Sequence, residues 1–401
     1  MTFKGLTFGV PKEIMEHEYR VSAIPETVTE FIAQGARVLV ESGAGESAHH
    51  HDDTYRKVGA EIVVGSDAIF ERSDVILKVK EPQFDTRKNR HEVAMMRKGQ
   101  TLVAFLHPAS PANHQMVRDL AEHGIVSFTL DGVPRLTNAQ PMDALTSMST
   151  VAGYKGVIMA ADQLGCFMPM TNTAVGMVSA AQVFVVGAGV AGLQALATAK
   201  RLGAVNFAAD IRPEAMEQAK SLRARIVETG VPAEVAIGGG GYAKALPQEW
   251  LAREQEAIRK TVAESDIVIL SALVPGRIAP VIVSEDMVKG MKPGSVIVDI
   301  AIDQGGNCAL TEPGRTVVKH DVTLIGAKNI PGYVPASASW LFAHNLFHFL
   351  SYLVRDGKIR ADREDEIIGP TLVTQDGKVV HAGALEAMAQ CSQGKGETIC
   401  V

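Results

Sequence analysis

The stretch QVFVVGAGVAGLQALATAKRLGA, residues 182–204, decides the fold of this chain. Its first part is an apolar run typical of a buried strand, its end is typical of a helix, and Gly187-x-Gly189-x-x-Gly192 joins the two. Gly187 permits a tight turn, Gly189 lets a pyrophosphate approach the backbone, and Gly192 lets helix and strand pack closely. The glycine pattern alone is weak evidence, and a doubly wound domain that binds no nucleotide stays an alternative.

The next apolar stretch, NFAAD, ends in a carboxylate that strengthens the dinucleotide interpretation. Asp210 lies eighteen residues after Gly192, where an acidic residue accepts hydrogen bonds from the adenosine ribose hydroxyls. The same charge repels the 2′-phosphate of NADP(H), so the sequence predicts NAD(H) as the cofactor. Arg212 lies nearby and keeps NADP(H) open as an alternative.

Strands and helices alternate on both sides of this stretch. Five apolar segments precede it: LTFGV, RVLVE, DVILKVK, TLVAFL and IVSFTL. A helix over about 141–164 leads to the second set, QVFVVG, NFAAD, DIVILSA, SVIVDI and VTLIG, and an apolar helix and a hairpin around Asp376-Gly377 follow. This alternation predicts an α/β protein with two Rossmann-like, doubly wound parallel sheets.

The length of 401 residues suggests two domains, each with its own core. We expect the first, outer α/β domain to be discontinuous, with residues 1–147 completed by residues 333–385. The second, residues 148–332, is the expected NAD(H)-binding Rossmann domain. Residues 386–401 have the composition of a flexible tail.

Composition excludes several classes of partner. The net charge of −6 argues against nucleic acid and against a lipid surface. The four cysteines lack zinc spacing and suit reduced thiols in a cytosolic protein. The run HHHDD, residues 49–53, is better explained as a solvated loop because consecutive histidines point apart, so no metal site is expected.

One segment is long enough to suggest a membrane span. Residues 163–199 contain no charged side chain. They include a proline, several glycines and polar side chains, and they divide into strand-like and helix-like pieces. A packed α/β interior therefore explains the segment better than a transmembrane helix, and no direct membrane span is predicted.

Polar residues follow several predicted strands, at the edge where parallel sheets bind their ligands. These residues are Lys78, Lys80, His107, Asp299 and Asp303, and Arg20 in EYRVSAIP is a further cation. A lysine or Arg20 is suited to hold a carboxylate, and His107 is suited to exchange a proton that Asp303 orients. Solvated charges at strand ends are the alternative for each of them.

Two loops carry further candidates. PRLTNAQPMDAL, residues 134–145, is a polar loop just upstream of the charge-free segment. IGGGGYAKAL, residues 237–246, places four glycines before Tyr242 and Lys244. A glycine-rich segment with an aromatic tip is suited to form a mobile lid over a cofactor, although an unstructured loop explains it equally well.

Together these stretches resemble the alanine dehydrogenase and transhydrogenase superfamily over nearly the whole chain. Several are most similar to the NAD(H)-binding domain I, the alpha-subunit portion, of proton-translocating NAD(P) transhydrogenases. The motifs are AQPMDALTSMSTVAGYKG, GAGVAGLQALATAKRLGA, GGGYAKALPQEW, SALVPGRIAPVIVSEDMVKGMKPGSVIVDIA, GGNCALTEPG and TLVTQDGKVVHAGA. Matches of this length are highly specific.

The resemblance implies roles for particular residues. The polar loop would position the nicotinamide and its ribose through Arg135, Gln140, Asp143 and Thr146. Thr146 replaces the usual serine, and Thr137-Asn138 replaces the usual Ser-Arg, so the role of that arginine is absent here. The implied adenosine pocket comprises Val190, Asp210, Ile211, Arg212, Gly241 and Leu273, and the implied mobile-loop tyrosine is Tyr242.

The resemblance also implies partners. A transhydrogenase subunit of this kind would form a homodimer and transfer hydride to NADP(H) held on another subunit. Membrane-embedded and NADP(H)-binding subunits would complete the enzyme, leaving this chain cytoplasmic and peripheral to the inner membrane.

The same superfamily supplies a competing function. Alanine dehydrogenases carry Arg, Lys, His and Asp at positions matching Arg20, Lys80, His107 and Asp303, and this chain keeps all four. It is therefore either a transhydrogenase subunit with a retained pocket or a soluble NAD-dependent dehydrogenase of alanine or another 2-amino acid. The nicotinamide loop, the mobile loop and the C-terminal hairpin favour the transhydrogenase.

Overall fold

The computed structural model describes residues 1–238, 243–274 and 278–392. The chain forms two compact units. The first comprises Met1–Met148 and Gly332–Val401, and the second comprises Ser149–Pro331. The boundaries expected from the sequence were 147/148 and 332/333.

The strands of the described residues are short and mostly buried. In chain order they are β1 Thr7–Val10, β2 Arg37–Glu41, β3 Glu61–Val63, β4 Val75–Leu77, β5 Phe84–Asp85, β6 Arg90–His91, β7 Thr101–Ala104, β8 Val126–Thr129, β9 Thr171–Thr173, β10 Gly176–Val178, β11 Gln182–Val186, β12 Val205–Ala209, β13 Arg225–Ile226, β14 Ile267–Leu270, β15 Val296–Asp299, β16 Thr316–Lys319, β17 Val322–Ile325, β18 Val354–Arg355, β19 Lys358–Ile359, β20 Leu372–Gln375 and β21 Lys378–Val379.

Helices lie between the strands, as the alternating pattern predicts. The α-helices are α1 Pro25–Ala33, α2 Asp52–Lys57, α3 Ser66–Arg72, α4 His114–Glu122, α5 Ala144–Gln163, α6 Val190–Arg201, α7 Pro213–Ser221, α8 Ala233–Ala236, α9 Gln248–Glu264, α10 Glu285–Lys289, α11 Pro335–Leu353, α12 Ile368–Thr371 and α13 Ala382–Ser392.

The first unit is built on a sheet of eight strands in the order β21-β20-β8-β7-β4-β1-β2-β3. The strands from β8 to β3 are parallel, whereas β20 pairs with β8 in antiparallel fashion. Because β20 and β21 come from the end of the chain, the first unit is discontinuous, as predicted. The predicted hairpin is confirmed, with Asp376 and Gly377 at φ 53° and 73°, the left-handed values that a tight two-residue turn requires.

The second unit has seven strands in the order β13-β12-β11-β14-β15-β17-β16. All pairs are parallel except β16 with β17 at one edge. The chain starts at β11, builds outward to β13, and then returns to the other side of β11 with β14. The strand order reverses there, and ligands of doubly wound sheets bind at such a reversal, beyond the carboxyl ends of the strands. The prediction of two Rossmann-like, doubly wound units is confirmed.

The charge-free segment 163–199 folds as the sequence analysis indicated. It contains the end of α5, the antiparallel hairpin β9–β10, strand β11 and the start of α6. Across residues 1–238, 243–274 and 278–392, no helix has the length and apolar character needed to cross a membrane.

Two sequence predictions need correction. The helix expected over 141–164 begins at Ala144, and residues Thr137–Met142 form a 3₁₀ segment instead. Pro141 lacks the N–H that an interior helical position donates, so it disfavours an earlier α-helical start. Residues 386–392, assigned to the flexible tail, belong to α13, because Ala384 is buried and Met388 packs on the core of the first unit.

Candidate nucleotide site

The glycine turn of the second unit is held by two close backbone contacts. Gly187 has φ 89°, and a Cβ there would lie 2.8 Å from the amide nitrogen of Ala272. A Cβ on Gly192 would lie 2.0 Å from the carbonyl oxygen of Gly187. Both distances are far below van der Waals contact. Residues 187 and 192 therefore need glycine so that β11 and α6 can meet in this turn.

Gly189 is different, because open space faces it. Its φ of −74° suits any residue, and the nearest atom to a Cβ there would be the Nη2 atom of Arg212, at 3.7 Å. The N-terminus of the twelve-residue helix α6 begins directly after Gly189. A helix N-terminus and a guanidinium both favour an anion. The turn thus fits the pyrophosphate of a dinucleotide.

Asp210 joins this turn to the end of β12. Its side chain is buried, and Oδ2 accepts a hydrogen bond of 2.8 Å from the amide of Ala188. Arg212 supplies three more donors, its amide and Nε to Oδ1 and its Nη2 to Oδ2, at 2.8, 3.0 and 2.8 Å. Four donors match about four acceptor sites of a carboxylate. A ribose hydroxyl that bonds to Asp210 must therefore replace or share a contact of Arg212.

The remaining adenosine-pocket candidates are only partly described. Val190 and Ile211 lie at the half-buried starts of α6 and of the segment after β12, and Leu273 is 38% exposed beyond the end of β14. All three follow strands of the second sheet at its carboxyl edge. Gly241 and Tyr242 lie outside the described residues.

The candidate nicotinamide loop belongs to the first unit and is anchored at its apolar residues. Ala139 and Met142 are buried, and the side chain of Asn345 on α11 donates a 2.8 Å hydrogen bond to the carbonyl of Pro141. Arg135 and Gln140 are exposed. The loop therefore has a fixed backbone with polar side chains on its surface.

Asp143 and Thr146 interact with each other at the start of α5. Asp143 Oδ1 accepts from the amide of Thr146 at 2.8 Å, and Oδ2 accepts from its hydroxyl at 2.7 Å. An acidic side chain that accepts from the amide three residues later is a helix N-cap. This cap ends the loop and fixes the helix that continues into the second unit.

His107 lies at the end of the segment that follows β7, also in the first unit. Its Nδ1 lies 3.4 Å from Oδ2 of Asp131, its ring stacks on Phe105, and its φ is 44°. Burial lowers the pKa of His107, but the ion pair with Asp131 outweighs burial and leaves that pKa above its ordinary value. The pKa of Asp131 is held well below its usual range. The pair has the geometry of an imidazole oriented by a carboxylate.

Arg20 is engaged by a neighbour rather than presented to a ligand. It is 3% exposed, and its Nε and Nη2 donate to the two carboxylate oxygens of Glu18 at 2.7 and 2.5 Å. Its Nη1 lies 2.9 Å from the sulfur of Met148. A substrate carboxylate would have to displace Glu18 from a buried bidentate pair.

The two lysines of LKVKEP have different surroundings. Lys80 is half-buried. Lys78 is fully buried, and its Nζ lies 3.1 Å from both Glu13 and Glu92. Glu13 also accepts from the amide of Val79 at 2.6 Å. Lys78 thus has a structural role, because removing one member of a buried ion cluster strands the other charges.

Asp299 and Asp303 of the second unit also differ in environment. Asp299 is fully buried, and its Oδ2 accepts from the amides of Asn307 and Cys308 at 2.8 and 3.0 Å. Burial raises its pKa to about 6 against the opposing effect of these bonds. It therefore fixes the loop after β15. Asp303 is exposed and accepts from the amide of Asn329 at 3.1 Å.

Three carboxylates were missed by the sequence analysis: Glu18, Asp131 and Glu254. Asp131 follows the predicted strand IVSFTL, so the strand-end rule that selected His107 also applies to it. Glu18 lies two residues before Arg20, a spacing that carries no established signal. Glu254 lies within α9, where no local motif distinguishes it from the other charged residues of that helix.

The two inner glycines provide a direct test of the site. We expect Gly192→Ala to destabilise the protein by about 1–3 kcal/mol, since a methyl group has no room there. We expect Gly189→Ala to keep the melting temperature and to weaken NADH binding at least about tenfold, because the methyl group occupies the approach of the pyrophosphate. Thermal unfolding and fluorescence titration measure the two effects. Unchanged NADH affinity in Gly189→Ala would show that the turn does not hold the cofactor.

Comparison with known proteins gives the family. Residues 9–152 match Alanine dehydrogenase/PNT, N-terminal domain, and residues 156–382 match Alanine dehydrogenase/PNT, C-terminal domain. The first part of NAD(P) transhydrogenase subunit alpha of Rhodospirillum rubrum, a separate chain in that organism, is 41% identical over 379 residues. These residues cover 94% of this chain and 98% of that protein.

Solved structures agree with this assignment. The crystal structure of transhydrogenase from Sinorhizobium meliloti has a TM-score of 0.82 and 38% identity, covering 93% of this chain and all of that one. An L-alanine dehydrogenase has a TM-score of 0.79 and 28% identity, covering 96% of this chain and 99% of that one. Both domain matches and the long relatives show that the chain belongs to the alanine dehydrogenase/PNT family.

Proposed function

We propose that this chain is the NAD(H)-binding component of an NAD(P) transhydrogenase and passes hydride between NADH and NADP⁺ bound on a partner subunit. The observation that carries the proposal is the glycine turn closed by Asp210 and Arg212, which fits a dinucleotide. The transhydrogenase alpha-subunit relative of Rhodospirillum rubrum, which this chain matches over nearly the whole length of both, supports the choice of reaction.

Each unit has its own role in this proposal. The turn and the Asp210–Arg212 pair would hold the pyrophosphate and the adenosine ribose. NAD(H) supplies the hydride chemistry when bound, and hydride transfer between two nicotinamide rings needs alignment rather than an acid or a base. Arg135, Gln140, Asp143 and Thr146 would therefore orient the ring. The buried anchors of their loop limit its movement, which is what alignment demands.

The partners follow from the same proposal. A relative whose name makes it the first part of a subunit implies further parts. In the proposed enzyme these would supply the NADP(H) site and the membrane-embedded, proton-translocating segment. This chain would then associate with the membrane through those subunits. We also propose a homodimer.

The Gln140→Ala variant tests the proposed role of the loop. Gln140 is exposed, so the fold should be kept when its side chain is removed. We expect hydride transfer to fall at least about tenfold with little change in NADH affinity, because small misplacements of reacting atoms cost rate steeply. The measurement is stopped-flow transfer from NADH to an NADP⁺ analogue in the complex reconstituted with the partner subunits.

Gln115→Ala is the matched control, since Gln115 is an exposed glutamine on α4 of the same unit. It should transfer hydride at the parent rate. A Gln140→Ala protein as fast as this control would remove the loop from the reaction. A parent chain without any transfer would reject the proposed function itself.

A dehydrogenase acting on a 2-amino acid is the second candidate. The orienting contact between Asp131 and His107 favours it, because this is an arrangement suited to proton exchange. The bidentate pair between Arg20 and Glu18 opposes it, because the guanidinium that would hold a substrate carboxylate is already bound.

We expect the isolated chain to show no appreciable NAD⁺ reduction with L-alanine and no NADH oxidation with pyruvate and ammonium. Steady-state absorbance at 340 nm measures both reactions, that wavelength being about the nicotinamide absorption maximum. Turnover on the order of 10 per second, abolished in His107→Ala, would make the dehydrogenase the correct function.

A further inference from the structure

One buried carboxylate of the second unit has no role in the candidate nucleotide site. Glu254 lies on α9 and is 5% exposed. It shares a helix face with Ile258 and Val262, which are both fully buried and pack on the core that contains Phe184 and Val186 of β11. The spacing of four residues places all three on the side of α9 that meets the sheet. A charged group is therefore set into an apolar helix face.

The position of Glu254 along α9 brings it to the carboxyl edge of the sheet. The helix ends at Glu264, and the chain then enters β14 at the amino edge. Glu254 lies ten residues earlier, which is about 15 Å along a helix axis. A five-residue strand such as β11 spans about 13 Å. Glu254 therefore lies at the level of Gly187 and Asp210, the edge with the glycine turn.

The charge of Glu254 is uncompensated within the described residues. Among residues 1–238, 243–274 and 278–392, no hydrogen bond or ion pair to its carboxylate is found. The charge that acts on it is that of Asp210, which is of the same sign. Arg212, a cation at this edge, donates to both oxygens of Asp210 instead.

The elements packed against α9 carry charges that are absent or already paired. β11 contains no titratable residue between Gln182 and Val186. On α10, which also contacts α9, Lys289 is paired at 3.0 and 3.5 Å with Glu285 and Asp286. Burial, followed by the charge of Asp210, raises the pKa of Glu254 to about 7.

We propose that Glu254 is a proton-linked affinity residue of the nucleotide site, and that NAD(H) binding at the glycine turn is accompanied by uptake of a proton on its carboxylate. This inference rests on the proposed binding of NAD(H) to the second unit. The pyrophosphate brings two negative charges to an edge that already holds Asp210. The anionic form of Glu254 opposes that charge, whereas its neutral acid does not.

The direction of the pH effect follows from this linkage. If binding raises the pKa of Glu254, the nucleotide binds more tightly to the protonated form, and affinity is lost as pH rises through the neutral range. For a further rise of one unit from about 7, the Kd increases about fivefold between about pH 6 and pH 8. Glutamine mimics the neutral acid at every pH, so Glu254→Gln should keep the low-pH affinity throughout.

The experiment is a fluorescence titration of NADH between about pH 6 and 8.5 with the full chain, Glu254→Gln and Glu256→Gln. Glu256 lies two residues away on the exposed face of the same helix, so its variant removes the same charge without touching the buried face. We expect the pH dependence in the parent and in Glu256→Gln, and its loss in Glu254→Gln. Calorimetry in two buffers of different ionisation enthalpy should show proton uptake near pH 7 in the parent.

The possible failures are distinct. NADH binding to the parent with a constant Kd and no proton uptake would overturn the inference, and so would an unchanged pH dependence in a folded Glu254→Gln protein. The parent calorimetry decides the matter alone if that variant does not fold. An absence of NADH binding at every pH would instead reject the proposed function, and the inference with it.

Discussion

The carboxylate of Asp210 connects the elements on which the candidate site depends. It accepts from the amide of Ala188 inside the glycine turn and from Arg212 at the end of the next strand. Without this bridge, the amide of Ala188 and the guanidinium of Arg212 would each need another acceptor in a largely buried place. The bridge also fixes what a ligand meets at this edge. Next to Gly189 it meets a guanidinium, and behind the guanidinium it meets a carboxylate that is already satisfied.

The close contact of Gly192 with Gly187 adds a steric constraint to that electrostatic one. Helix α6 can approach β11 only because neither residue carries a side chain. The helix N-terminus is thereby brought to the end of the sheet where the strand order reverses. The chemistry proposed for the second unit follows from backbone geometry together with one ion pair, and its affinity for an anion follows from the charges that α9 and β12 place nearby.

The sequence was sufficient to predict the elements whose signals are local. Apolar runs, the glycine motif and the Asp376-Gly377 turn each have a short-range physical cause, and the structure confirms the strands, the turn and the discontinuous first unit. Pairings between distant residues could not be predicted in the same way. The contact of His107 with Asp131 spans 24 positions, and the environment of Glu254 depends on a strand more than forty residues away. Arg20 shows the same limit, because its burial depends on packing that no local pattern reveals.

The two functions considered for this family differ in what they require of the first unit. A dehydrogenase needs a cation free to bind a carboxylate and a group to exchange a proton. The structure keeps the second requirement in His107 and Asp131, but it binds Arg20 to Glu18. A transhydrogenase component needs only a firmly held polar loop that orients the ring, and the buried residues Ala139 and Met142 provide such an anchor.

Equilibrium titration of the purified chain with NADH and with NADPH tests the central claim most directly. Asp210 offers its oxygens to ribose hydroxyls, and the guanidinium that would attract a 2′-phosphate is already bonded to that carboxylate. The account therefore predicts a Kd for NADH at least about tenfold lower than that for NADPH. Equal dissociation constants, or tighter binding of NADPH, would contradict it.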